Sequence, residues 1–269
     1  MDKKVVLITG GSSGIGKSVG QYLTANGFTV YGTTRNTSKY PDFDAFELIE
    51  LDVKLPEIVN KAVQLVIEKE GRLDVLINNA GVGITGPIEE TPHEEILSVF
   101  DTNFNGPIHM MKAVLPQMRK QGGGLIINTT SIAGYMGLPF RGYYSATKGA
   151  LNIVTESLRM ETRKFGISIT NLAPGDFATN IAAGRYHAPV IKGSAYEADY
   201  QKSLDLMDEH VDAGGDPLLV AKKVLKIIQS KKPKVNYPVG EFTQRLSLVL
   251  KRLLPARLYE KLLLNHYKL

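Results

Sequence analysis

Cysteine and tryptophan are both absent from the 269 residues. Without a thiol, disulfides and thiolate metal sites are excluded. No stretch of about 18 apolar residues is present to cross a bilayer as a helix. The opening MDKKVVLITG runs straight into a strand pattern, with no apolar region of signal-peptide length before it. A reducing, cytoplasmic setting is therefore expected. The five histidines, His93, His109, His187, His210 and His266, lack metal-ligand spacing, so no metal is expected. Carboxylates are missing from two places: none lies between Gly10 and Pro41, and residues 221–269 hold only Glu241 and Glu260 against 12 Lys and Arg. Since the whole chain carries +5, its first 220 residues are net acidic and its tail is strongly basic.

What remains is ordinary for a globular chain, 43% hydrophobic and 22% charged. Residues 4–9 form a continuous apolar run, the signature of a strand buried on both faces. FTVYGTT (28–34), FELIEL (46–51), LDVLIN (73–78), GLIINTT (124–130) and ISITNLA (167–173) read as further strands. Helical patterns fall between them near 55–69, 92–119 and 143–165, and again at about 217–230. Strand alternating with helix implies an α/β fold, a Rossmann-type doubly wound parallel sheet of about seven strands. Residues 1–240 read as one domain and 241–269 as a C-terminal helical extension.

TGGSSGIG (9–16) joins the first strand to the first helix. Glycines at Gly10, Gly14 and Gly16 allow a tight turn, and the helix N-terminus then faces a pyrophosphate. Ser12 and Ser13 add hydroxyl donors, and Ile15 lies in the same turn. A site for a dinucleotide with a free ribose places an acid about 20 residues further on, where this chain has none. TTRN ends the second strand instead. Arg35 there, with Thr33, Thr34 and Lys39 or Lys17, suits a 2′-phosphate, which favours NADP(H). A second pattern lies in RGYYSATKGA (141–150). Residues four apart share a helix face, so Lys148 stacks with Tyr144 and Tyr143 points elsewhere. An ammonium beside a phenol favours the phenolate, which makes the pair a tuned proton donor and acceptor.

T-G-x-x-x-G-I-G (9–16), Asp52-Val53, N-N-A-G (78–81), Asn103, Ser131, Tyr144 with Lys148 and Pro174-Gly175, in this order, resemble the short-chain dehydrogenase/reductase family over about residues 4–240. The resemblance implies hydride transfer between a nicotinamide and a carbonyl or secondary alcohol. It makes Tyr144 the acid/base and Lys148 its partner and a ribose ligand, while Ser131 holds the substrate oxygen. Asp52 and Val53 would meet adenine. Asn78, Asn79, Ala80 and Gly81 would line the adenosine side, and Pro174, Gly175 and Thr179 the nicotinamide side. In the family, the main-chain carbonyl of the residue matching Asn103 holds a water in the proton relay. Pro107, four residues on, has no N–H to occupy that carbonyl, so a free acceptor and a local kink are expected there.

Residues 178–216 read as a substrate lid, with Tyr186, Tyr196, Tyr200, Leu204 and Met207 as an apolar wall and Gly214-Gly215 as a hinge. In the tail, Phe242, Leu246, Val249, Leu250 and Leu253 share one helical side, Lys251, Arg252, Arg257 and Lys261 interleave with them, and Pro255 divides two helices. Such an end packs on its own body, covers a pocket mouth or lies on an anionic membrane. No nucleic-acid reading motif accompanies the basic residues. The extension resembles family members acting on steroid, retinoid or lipid ketones, and family members are usually dimers or tetramers. A 3-oxoacyl carrier-protein reductase remains open, as does an NADP(H)-binding sensor or scaffold with little turnover.

Overall fold

The computed structural model describes residues 3–177, 184–211 and 215–269. Its strands are β1 (Val5–Ile8), β2 (Thr29–Thr34), β3 (Glu47–Glu50), β4 (Val75–Asn78), β5 (Ile84–Thr85), β6 (Gly124–Thr129), β7 (Ile167–Pro174), β8 (Tyr186–His187) and β9 (Asn236–Val239). Seven of them form one parallel sheet, ordered β3-β2-β1-β4-β6-β7-β9, while β5 pairs with β8 apart from it. The helices are α1 (Gly14–Ala25), α2 (Pro56–Glu70), α3 (His93–Phe100), α4 (Gly106–Lys120), α5 (Gly142–Thr162), α6 (Glu197–Val211), α7 (Leu218–Ile228), α8 (Phe242–Leu253) and α9 (Ala256–Tyr267).

Alternation along β1 explains the two-sided cover. Val5 and Leu7 enter one core with α2, α4 and α5, whereas Val6 and Ile8 enter a second with α1 and α7. A strand buried on both faces cannot tolerate polar residues on either, hence its unbroken apolar run. Each such side chain stabilises the fold by about 1.5–3 kcal/mol through burial. The six strands named from sequence all form, five with ends trimmed by a residue or two and β7 longer by Pro174. The seventh, β9, has only four residues including Pro238 and pairs with β7 alone at the sheet edge, where a proline is tolerated.

A polar row crosses this apolar sheet. Asn78, Asn128, Asn171 and Asn236 are register partners on β4, β6, β7 and β9. Asn78 donates to Asn128 Oδ1 at 2.8 Å, and Asn171 donates to Asn236 Oδ1 at 3.0 Å. Asn128 also donates to Thr155 Oγ1 of α5 at 2.9 Å. Burying an amide without such partners costs about 1–3 kcal/mol, so the row fixes the strands against one another and α5 against the sheet.

The connections turn outward in opposite directions from β1 and β4. The crevice above the C-terminal ends of these two strands is the switch point at which open α/β sheets bind ligands. The glycine turn leaves β1 there, and Asn79–Gly81 leave β4. The patterned stretch at 92–119 proves to be α3 and α4 joined by a π-helical turn, Asp101–Asn105. Gly106 N–H bonds Asp101 O, five residues back. The irregularity expected from Pro107 thus takes the form of a widened turn containing Asn103.

Candidate active site

The crevice has two connected parts. One is lined by Gly10, Ser12, Ser13, Gly14, Ile15, Arg35, Asp52, Val53, Asn79, Ala80 and Gly81, together with Thr33, Thr34 and Tyr40. At Gly10 the backbone is left-handed, φ +65, and its N–H is held by Thr33 Oγ1 at 3.2 Å. Gly16 does not line the crevice. A Cβ there would stand 2.2 Å from Gly10 O, so its lack of a side chain is what lets helix and turn close up. Thr9 Oγ1 accepts from the N–H groups of Asn79 and Ala80, at 2.9 and 3.0 Å, and clamps the two strand ends together.

Several features of this part fit a dinucleotide phosphate. Ser13 caps α1 without any side-chain hydrogen bond to it, and no acid lies in the first turn. The first N–H groups and the Ser13 hydroxyl are therefore available to an anion. Arg35, directly after β2, is exposed at the rim. Lys17 and Lys39, the other cations expected there, do not line it; Lys17 lies 5.4 Å from the centre of the Phe43 ring.

Ser131, Tyr144 and Lys148 face the second part, with Asn79, Gly81, Pro174 and Gly175. Ser131 follows β6, and its hydroxyl sits between Ala133 N–H, which donates to it at 3.1 Å, and Pro174 O at 3.4 Å. Tyr144 and Lys148 are one turn apart on α5, the ammonium 5.9 Å from the phenol ring centre. Tyr143, by contrast, donates its hydroxyl to Ile88 O at 2.9 Å. Lys148 is buried and donates to Thr129 O at 3.0 Å. Burial without a carboxylate partner lowers its pKa from 10.5 to about 8. Thr129 Oγ1, buried beside it, has no hydrogen-bond partner, which leaves a group for a ligand to satisfy.

Asn103 lies behind this wall. Its amide exchanges two hydrogen bonds with Val82, both 2.9 Å, and donates to Thr147 Oγ1 at 3.3 Å. It therefore ties the loop after β4 to α5, next to Tyr144. Thr179 lies outside the described residues, as does Gly214. Gly215 forms a bridge with Phe177. Of the five lid side chains expected as a wall, Met207 lines the cavity. Tyr196 donates to Glu89 and Tyr200 to Ala188 O, so these two serve the packing of the lid.

The remaining wall uses residues not named from sequence, although covering a pocket mouth was one reading of the tail. Arg141, Asp176, Arg185, Leu206, His266 and Tyr267 all line the cavity. Arg141 stands 5.5 Å from the Tyr144 ring centre. Burial raises the pKa of the Tyr267 phenol, while Arg141 beside it pulls the other way. The tail reaches this position because Gln244 donates to Asp176 at 2.9 Å and Tyr259 is buried against Met136. A side chain at Gly175 would collide with Gln244. Proximity to Tyr144 was a signal for Arg141, but nothing local marks Arg185 or Tyr267. Among the described residues no helix is long and apolar enough to cross a membrane, and no acid/histidine cluster could hold a metal.

Residues 4–189 match the family model for short chain dehydrogenase. A 3-ketodihydrosphingosine reductase of Bacteroides thetaiotaomicron is 37% identical over 97% of this chain and 96% of that protein. The crystal structure of a short-chain dehydrogenase from Streptomyces avermitilis superposes with TM-score 0.80 at 32% identity, covering 97% of each chain. The structure of ElxO with NADP bound gives TM-score 0.70 at 29% identity, covering 87% of this chain and 98% of that one.

Proposed function

The chain belongs to the short-chain dehydrogenase family, an oxidoreductase family using nicotinamide cofactors, and on that premise we propose that it uses NADPH to reduce a ketone of a lipophilic substrate to a secondary alcohol. The observation that carries this reading is the convergence of Tyr144, Ser131 and Lys148 on one cavity continuous with the glycine-turn crevice. When bound, the reduced nicotinamide supplies the hydride to the carbonyl carbon. Tyr144 gives its phenolic proton to the carbonyl oxygen, and the Ser131 hydroxyl donates a hydrogen bond to the same oxygen. Lys148, its pKa lowered by burial, bonds the ribose and returns a proton towards Tyr144. Asn103 keeps α5 and the loop after β4 in register. Arg35, with Ser12 and Ser13, holds the phosphate groups, and the absent acid after β2 supports NADPH over NADH.

Leu206, Met207 and Phe177 offer apolar contacts to the substrate. The relative named for 3-ketodihydrosphingosine supports a long-chain ketone. Among the described residues Asp176 is the one carboxylate lining the cavity, so an amine on such a ketone would sit beside it. Self-association would use the helices at 92–119 and 143–165, as is usual in the family, and the exposed Leu97 on α3 and Ile153 and Met160 on α5 support that reading. The test is oxidation of NADPH and of NADH in the presence of 3-ketodihydrosphingosine, the same ketone lacking its amine, and short acyl ketones. Turnover of long ketones with NADPH is expected. NADPH binding without turnover of any ketone would instead favour a sensor.

A further inference from the structure

The C-terminal helices have two faces with different chemistry. On the inner face, Leu250, Leu254 and Leu263 pack with Tyr259 against Ile132 and Met136, directly beyond Ser131. Leu250 thus leaves the outer stripe to which its spacing had assigned it. On the outer face of α8, Phe242, Leu246, Val249 and Leu253 succeed one another at intervals of four, three and four residues. All four stay exposed, Phe242 at 70% and Leu253 at 72%. On α9, Leu258 and Leu262 are exposed one turn apart. A helix packed on its own body buries its apolar stripe; α8 packs by another side and leaves the stripe in water.

The charges around the stripe are mostly positive, with Glu241 at the N-cap of α8 and Glu260 on α9 as the two exposed acids. Arg245, Arg252, Arg257 and Lys261 are exposed on the same two helices, and Glu260 is the only acid in residues 242–269. We propose that the outer face of α8 and α9 docks on an anionic lipid bilayer, its apolar stripe sunk to the acyl boundary and its cations among the headgroups. The same helices bring His266 and Tyr267 to the substrate cavity, so docking sets the mouth of the site at the surface from which a long-chain ketone enters. This extends the lipophilic-substrate reading and rests on it only for that last step.

Charge decides between the possible occupants. In a symmetric pair this face would meet itself, setting four cations against four with only Glu241 and Glu260 to offset them. A phosphate backbone would match the cations but leave Phe242 and Leu253 without apolar partners.

The full chain should co-sediment with vesicles containing about one-third phosphatidylglycerol, far more than with phosphatidylcholine alone, and about 0.5 M salt should weaken this several-fold. The double variant Phe242→Glu/Leu253→Glu changes only exposed side chains. It should lose at least roughly tenfold in vesicle binding, keep its turnover of a short water-soluble ketone, and lose turnover of ketone carried in vesicles. Equal binding of the wild-type chain to both vesicle types, or to neither, would overturn the proposal. So would a drop in oligomer mass in the double variant, measured by light scattering, if the wild-type chain ignored vesicles; a second copy would then cover the stripe. Anionic-vesicle binding that depends on Phe242 and Leu253, in a protein that reduces no ketone, would sustain the docking and defeat the functional reading instead.

Discussion

The two parts of the crevice are built on different principles. The part proposed for the nucleotide comes mainly from residues 10, 12–15, 33–35, 51–54 and 79–82, at the C-terminal ends of strands or just beyond them, with Tyr40, Thr102 and Gly184 added from elsewhere. Its geometry follows from the sheet, and its backbone is locked by Thr9 and Thr33. The substrate part draws Arg141 from the start of α5, Arg185 from beside β8, Met207 from α6 and Tyr267 from the last turn of α9. Its geometry follows from how lid and tail fold back. Ile15, Asn79, Gly81 and Val82 line both parts, but most of each lining comes from different stretches of chain, so a scaffold of this kind can vary one part with limited effect on the other.

Tyr144 and Lys148 sit where the parts meet, so changing them should test the division most severely. Tyr144→Phe is expected to lower kcat by roughly 10²–10⁴-fold while NADPH affinity, measured by fluorescence, stays within a few-fold. Tyr143→Phe should leave kcat alone and cost about 1 kcal/mol of stability through the lost bond to Ile88. Equal losses in the two variants would remove the register argument.

Lys148 gives the next largest effect, visible without substrate. Unfolded, it keeps its proton up to about pH 10.5; folded, it loses it above about 8. Between those values the unfolded state binds more protons, so stability of the cofactor-free protein should rise with pH there, by up to about 3 kcal/mol. Subtracting urea unfolding curves of Lys148→Met, which lacks the group, should isolate the rise. A pH-independent difference would mean that the ammonium is not desolvated.

Arg35→Ala belongs wholly to the nucleotide part. It should weaken NADPH by roughly 10–100-fold, the value of charge-assisted bonds to phosphate, and leave NADH unchanged. An unaltered NADPH/NADH ratio would deny the phosphate role. Tyr267→Ala belongs wholly to the substrate part. It should raise KM for a long-chain ketone several-fold through lost apolar contact, with no change in NADPH affinity. A change in NADPH affinity instead would show that the two parts are not separable.

Periodicity and turn chemistry along the chain determined the parallel sheet, the glycine turn, the missing acid after β2 and the pairing of Tyr144 with Lys148. Each depends on residues within a few positions of one another, where backbone geometry leaves little choice. Asn103 was legible as a position, but its hold on Val82 and Thr147 was not, because those contacts cross between elements. β9 escaped because four residues with a proline carry too short a pattern. Only the tertiary structure decided that Tyr200 packs the lid while Met207 faces the cavity, that Leu250 turns inward while Phe242 and Leu253 stay in water, and that Tyr267 arrives beside Arg141. Those outcomes depend on which surfaces compete for burial once the sheet has formed, and spacing along one helix records its apolar face without recording what will cover it.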